Sequence, residues 1–298
     1  MKLKTTIQHK KRYNHMNHFE SSWIAKDGLE TYFQGWEPQK TPHAVVCLIH
    51  GLGEHSSRYF HVADRLTAAG FAVLTMDLRG HGKSAGARGH VASIDNFLDD
   101  IDRLLKEAED RFPGTPRFLY GHSLGGILVL FYTLKRKPVL AGVVATSPGL
   151  RTALEKQTAK VAFSKFLAAL LPELSMPSGL NAADISRDPE IVRLYRNDPL
   201  VHDRASLAFA KTMFDALPWT FQHAPEFEAP LLLVHGSEDK IAFASGSQEF
   251  ANLVPGDCTF KLWDGLSHET HNEPEKEQVL AFLTDWLLSK LQLYQAGS

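Results

Sequence analysis

Ser123 stands in Gly121-His122-Ser123-Leu124-Gly125, after the apolar run Phe118-Leu119-Tyr120 and before an apolar stretch beginning near Gly126. A serine hydroxyl is a weak nucleophile at neutral pH, so it needs a base to take its proton and a further group to orient that base. Glycines two residues to either side allow a sharp strand-to-helix turn, where a Cβ would clash, and leave the hydroxyl exposed at a helix N-terminus. Backbone N–H groups and the positive end of the helix dipole favour developing negative charge at that point. The chemistry this arrangement serves is acyl transfer through a covalent serine intermediate.

In such a strand–turn–helix elbow, the acid and then the histidine follow the serine along the chain. The late run Leu231-Leu232-Leu233-Val234-His235-Gly236-Ser237 leads into Glu238 and Asp239. Asp239 is the better candidate, because the shorter carboxylate follows the Gly-Ser turn by the usual offset. The base is expected past the next apolar run and before the last helix, where Leu262-Trp263-Asp264-Gly265-Leu266-Ser267 leads to His268. His271 is its nearest rival, with a surface or supporting place as its default. An oxyanion would be held by the N–H of Leu124, next to the nucleophile, and by that of Leu52 in His50-Gly51-Leu52-Gly53. One such donor stabilises a transition state by about 3–4 kcal/mol.

Three other spacings fail. Gly82-Lys83-Ser84 has Asp77 where a phosphate loop needs its first glycine. His268-Glu269-Thr270-His271 is one residue short of the H-E-x-x-H zinc pattern, with Asn at position 272. The stretch Asp77 to Ser84 holds no Cys or carboxylate set, so neither a metal nor a cofactor is called for.

Side chains so far apart in sequence meet only if strand ends bring them together. Apolar runs rich in β-branched residues at 29–34, 44–50, 71–76, 117–121, 140–146, 230–235 and 259–263 alternate with helical patterns at 58–69, 94–111, 124–136, 243–252 and 275–290. That alternation predicts a mostly parallel central sheet with helices on both faces, and the serine elbow placed on such a sheet is the one expected of an α/β-hydrolase fold. Ala44-Val45-Val46-Cys47-Leu48-Ile49 is too uniformly apolar for a half-exposed strand and is expected to be central. The alternation breaks between 150 and 225, where helical patterns are interrupted by Pro172, Pro177, Pro189, Pro199 and Pro218. This segment is expected to be a helical lid inserted into a core made of 20–149 and 226–292. Residues 1–19, with Lys2, Lys4, Lys10, Lys11 and Arg12 and no acid before Glu20, read as a flexible basic tail. The closing Gln295–Ser298 is set aside from the fold.

A formal net charge of -2 argues against general attraction to nucleic acid. Two cysteines in 298 residues cannot build a disulfide framework, so Cys47 and Cys258 are expected reduced. No apolar run reaches the roughly 18 residues of a membrane span. With no secretory signal either, a cytoplasmic location is expected.

The run His50-Gly51-Leu52-Gly53-Glu54-His55-Ser56-Ser57-Arg58-Tyr59 resembles the HGxGEHSxRY signature of monoacylglycerol lipases and their bacterial lysophospholipase-like relatives. Asp77 to Ser84 is similar to that family's D-x-R-G-H-G-x-S loop, and Gly121 to Gly126 to its GHSxGG elbow. Asn197-Asp198-Pro199-Leu200 resembles its N-D-P-L piece, and His268 to Glu273 its H-x-x-H-x-E. Agreement runs from about residue 20 to 290. The resemblance implies hydrolysis of a monoacylglycerol, or another single-chain lipid ester, with Ser123, Asp239 and His268 as triad. It implies support from His50 and Gly51, and a polar network of Glu54, Arg58 and His122 under the oxyanion loop. It also implies an apolar lid that docks on membranes. The residues alone say only that Glu54 and Arg58, four apart, could pair. In the lid, Phe163, Phe166, Leu167, Leu170 and Leu171 exceed what one buried stripe requires. Contact with a lipid substrate or surface and burial in the lid's own core explain them equally well. Lysophospholipase or broad esterase action is the alternative activity, and a non-catalytic lipid-binding relative the remote one.

Overall fold

The computed structural model describes residues 8–12, 16–153 and 158–297. In chain order its strands are β1 (Gln8–Arg12), β2 (Met16–Ile24), β3 (Glu30–Pro38), β4 (Ala44–Ile49), β5 (Phe71–Met76), β6 (Arg117–His122), β7 (Gly142–Thr146), β8 (Ser175–Pro177), β9 (Arg204–Ser206), β10 (Leu231–Gly236) and β11 (Cys258–Trp263). Nine form one sheet in the order β1-β2-β3-β5-β4-β6-β7-β10-β11, and β8 pairs with β9 apart from it. From β5 to β11 every pairing is parallel, whereas β1, β2 and β3 add on antiparallel. The helices are α1 (Phe60–Ala68), α2 (Ile94–Arg111), α3 (Leu124–Arg136), α4 (Thr158–Leu170), α5 (Pro189–Asn197), α6 (Leu207–His223), α7 (Ala244–Leu253) and α8 (Lys276–Gly297).

β4 lies between β5 and β6, and its alternation explains its uniform hydrophobicity. Val45, Cys47 and Ile49 join the core layer that includes residues of α2, α3 and α7, while Ala44, Val46 and Leu48 join the layer under α1 and α8. With both faces covered, every residue of β4 is buried. Each fully buried aliphatic side chain contributes about 1.5–3 kcal/mol, so a polar residue has no tolerable place on this strand. On α8, Val279, Leu283 and Leu287 are buried as a stripe, and the helix continues beyond the expected 290 to Gly297.

The expectation of a flexible tail over 1–19 is corrected in part. Residues 1–7 and 13–15 lie outside the described residues, but Gln8–Arg12 and Met16 onward are strands of the sheet. Met16 and Phe19 are buried, so the core begins before residue 20. The strand escapes hydrophobic patterning because it buries a polar pair: the His18 ring Nε2 lies 2.9 Å from Gln34 Oε1 across β2–β3.

Between β7 and β10 the alternation gives way to α4, α5, α6 and the β8–β9 pair, with residues 154–157 outside the described residues. α5 starts where Asp188 accepts from Glu190 N–H at 2.9 Å and Pro189 occupies the first turn, a position where its missing N–H costs nothing. α6 starts where Ser206 accepts from Phe209 N–H at 3.1 Å. α6 packs on α3 of the core and also on α4.

Candidate active site

Ser123 occupies the turn between β6 and α3 with φ 54° and ψ -112°, a conformation that costs an L-residue of order 1–3 kcal/mol. Its N–H donates to Thr146 O at 2.9 Å, which fastens the turn to the end of β7. The flanking glycines are required by space. A Cβ on Gly121 would stand 2.1 Å from Gly125 O, and one on Gly125 would stand 2.1 Å from Ile49 O.

The Ser123 hydroxyl is 2.9 Å from His268 Nε2, and His268 Nδ1 is 2.7 Å from Asp239 Oδ2. A carboxylate only accepts, so Nδ1 carries the hydrogen and Nε2 is free to accept from the serine. The other oxygen, Asp239 Oδ1, accepts from Ile241 N–H at 2.8 Å and Ala242 N–H at 2.9 Å. Glu238, the competing acid, is exposed, and His271 is buried beside the relay rather than in it. Burial pushes the Asp239 carboxyl up, but the His268 charge and the hydrogen bonds of both neighbouring imidazoles hold it far below the usual carboxylate range. Burial pushes the His268 imidazole down. Asp239, with Glu269 and Glu54 behind it, outweighs that and raises it above the usual 6.5.

The loop after β4 lies against the elbow, since a Cβ on Gly51 would come within 3.2 Å of Ser123 Cβ. Glu54 Oε1 accepts from Gly51 N–H at 2.6 Å and from Tyr59 O–H at 2.7 Å. His50 donates from Nδ1 to Gly51 O at 2.8 Å and accepts at Nε2 from Leu78 N–H at 2.9 Å. Burial drives this neutral ring down to about 3. Arg58 donates to Glu54 and, through two bonds of 2.7 Å, to Glu269. The implied network of Glu54, Arg58 and His122 is therefore corrected. Among the described residues Arg58 joins Glu54 to Glu269, and His122 is outside those hydrogen bonds. The His122 Nδ1 meets Thr146 Oγ1 at 3.1 Å, and its ring packs 4.9 Å from that of His268. Burial and the neighbouring His268 lower it to about 3, so it faces the relay as a neutral ring.

Ser123, Leu52 and Leu124 line one cavity of about 480 Å³. Its walls include Ile127 of α3, Phe209, Met213, Phe214 and Leu217 of α6, Leu180 and Ile241, with Asn181, Asp184 and Lys240 as polar members. The volume falls within the range of roughly 300–1,000 Å³ typical of small-molecule sites. The expected lid contacts are corrected here. Phe163, Phe166, Leu167, Leu170 and Leu171 do not line this cavity, whose helical wall includes α6, the helix that α4 packs against. Ala168 turns inward and is buried, Leu167 is half-buried, and Phe163, Phe166, Leu170 and Leu171 are exposed.

Several site neighbours escaped the sequence. Glu269 carries no periodic signal, although it directly follows His268. Ser147 and His235 sit at strand ends, where only assembly of the sheet reveals their partners. Met213, Phe214 and Leu217 share one face of α6, a helical stripe that could have been found.

The sequence profile of the family described as Serine aminopeptidase, S33 (Hydrolase_4) matches residues 40–275. The chain is 38% identical over 275 residues to an uncharacterized abhydrolase domain-containing protein of Dictyostelium discoideum, an alignment spanning 91% of this chain and 29% of that relative. It is 35% identical over 274 residues to the monoacylglycerol lipase of Mycolicibacterium smegmatis, covering 91% of this chain and 98% of the relative. The crystal structure of Paleococcus ferrophilus monoacylglycerol lipase superposes with a TM-score of 0.80 at 36% identity, covering 88% of this chain and 99% of that one.

Proposed function

Because the chain belongs to the serine aminopeptidase S33 family of α/β-hydrolases, we propose that it hydrolyses monoacylglycerol to glycerol and a fatty acid. Ser123 attacks the ester carbonyl while His268 Nε2 takes its proton, and Asp239 fixes the ring and stabilises the imidazolium. The amides of Leu52 and Leu124 hold the oxyanion. His268 then returns the proton to the departing glycerol oxygen. Water, deprotonated by the same ring, cleaves acyl-Ser123 to release the fatty acid. The observation that carries this reading is the serine–imidazole–carboxylate chain opening onto an apolar cavity. Steady-state turnover of a 1-monoacylglycerol tests it, and no release of fatty acid would reject it. Lysophospholipase action is the second reading. It is favoured by one feature: the exposed Lys240, next to Asp239, lies on the cavity wall where a phosphate could meet it. Turnover of lysophosphatidylcholine exceeding that of the glycerol monoester would select it.

Residues 150–225 act as the lid in this proposal, and the exposed Phe163, Phe166, Leu170 and Leu171 make its outer side a peripheral contact with lipid surfaces. Among the described residues no helix is long and apolar enough to cross a membrane. Co-flotation with phosphatidylcholine vesicles tests the contact. Equal flotation of the native chain and of a Phe163→Ser, Phe166→Ser variant would refute it.

A further inference from the structure

Asp239 Oδ2, the oxygen that His268 uses, has a second imidazole on it. His235, near the end of β10, places Nε2 3.1 Å from Asp239 Oδ2 and 2.9 Å from the main-chain oxygen of Ala242. Its Nδ1 lies 2.8 Å from Ser247 Oγ on α7. Both oxygens facing Nε2 only accept, so that nitrogen carries a hydrogen, and Nδ1 is left to accept from the Ser247 hydroxyl. The connected groups therefore read hydroxyl, imidazole, carboxylate, imidazole, hydroxyl, with Oδ2 at the centre. His235 and Ser247 are each 0% exposed, whereas the Ser123 end opens on the cavity.

We propose that His235, braced by Ser247, is a positioning residue that occupies one lone pair of Asp239 Oδ2 and so sets the direction and strength of its bond to His268. The inference rests on the hydrolase reading above. Simple anchoring of the carboxylate does not need His235, because Oδ1 is already held by two backbone N–H groups. What His235 adds is an N–H dipole whose positive end points at Oδ2 and at the imidazolium beyond it. That dipole opposes the charge His268 acquires when it takes the serine proton. The other titratable or charged groups facing His268 are Asp239, Glu54, Glu269, His122 and His271. Of these, only Asp239 is bonded to His235, so a substitution at position 235 reaches His268 through that carboxylate.

The test compares the native chain with His235→Gln, which keeps a donor, and His235→Met, which fills the space without one. The His268 ring is titrated by ¹H–¹⁵N NMR, and kcat/KM for p-nitrophenyl butyrate is followed against pH. In His235→Met the midpoint and the acid limb should rise together by about 0.3–1 pH unit, and both should stay near native in His235→Gln. In the same variant kcat should fall by about tenfold with KM nearly unchanged. A folded His235→Met that titrates like the native chain, or shifts no more than His235→Gln, would overturn the proposal. If His235→Met does not fold, Ser247→Ala carries the test. It should give a smaller upward shift, and an unmoved midpoint overturns the role. The NMR arm needs no turnover. An expected shift without any ester cleavage would defeat the hydrolase reading alone, whereas an active chain with an unmoved midpoint would defeat this inference alone.

Discussion

The hydroxyl of Ser147 donates to the main-chain oxygen of His268 at 2.7 Å. Ser147 follows β7 with φ 44°, and its N–H donates to Val234 O at 2.7 Å. One strained residue thus ties the end of β7 to β10 and to the loop bearing the imidazole. Ser147→Ala removes the donor and leaves the His268 carbonyl only the Thr270 N–H at 3.1 Å, so urea unfolding should show a loss of about 0.5–1.5 kcal/mol. Ser147→Gly loses the same bond but relieves the backbone, and should be about 1 kcal/mol less damaging. Equal losses would mean the positive φ carries no strain.

Ser123→Ala should lower kcat by about 10⁴–10⁶ and abolish fluorophosphonate labelling, with the circular dichroism unchanged. Ser123→Gly should be equally inactive yet more stable by about 1 kcal/mol, because φ 54° is open to glycine. Near-native turnover of either variant would place the nucleophile elsewhere.

In the proposed mechanism the acid limb of kcat/KM reports the protonation of His268. Burial lowers its affinity for a proton, and Asp239, Glu269 and Glu54 more than restore it. The limb should therefore fall above the ordinary imidazole value of 6.5. Activity is lost as pH drops through it, since the protonated ring cannot accept. Asp239→Asn should move the limb downward and cost about 10⁴ in kcat. A profile flat from pH 5 to 8 would contradict a histidine base.

Stability should follow a different set of histidines. Burial depresses His50 and His122 to about 3 and holds His81 and His271 well below 6.5. Below 6.5 the unfolded chain binds these protons and the folded chain does not, so stability falls as pH drops. Each group contributes at most about 1.4 kcal/mol per pH unit. His268, with its raised value, acts in the opposite sense: its contribution is present below the unfolded value and is lost as pH rises through the folded one. Urea midpoints should thus decline between pH 6.5 and 5, and a constant midpoint would refute the neutral histidine cluster.

Arg58 is shared by Glu54 and Glu269, both nearly inaccessible. The guanidinium holds Glu269 at about 2 against the upward push of burial. Arg58→Met would leave two buried carboxylates without their cation and should cost about 3–5 kcal/mol of stability. Thermal unfolding measures it. A loss below 1 kcal/mol would show that water reaches the pair.

Much of this architecture was readable from residue order. Gly121 and Gly125 announced a turn that only small residues fit, and β4 announced its central place by having no polar face. Asp239 and His268 could be found because each closes an apolar run at a strand end. β2 was hidden because His18 and Gln34 satisfy each other inside the sheet and erase the alternation. His235 was hidden inside the run that marks β10, where a polar side chain reads as an interruption until its partners on α7 and at Asp239 are known. The surplus of apolar residues on α4 was visible, but which way they face depends on α6, which sequence periodicity cannot place.

The segment from 150 to 225 grips the loop that contains Leu52. His202 N–H donates to Gly53 O at 2.8 Å, the His55 ring Nε2 meets Asp198 Oδ2 at 2.9 Å, and a Cβ on Gly53 would come within 2.2 Å of His202 O. Displacing this part of the insertion would drag on the Leu52 amide to which the proposed mechanism assigns the oxyanion. Under that proposal, substrate admission would be confined to travel that leaves residues 198–202 seated, so that an entrance held too wide would also be a disarmed one.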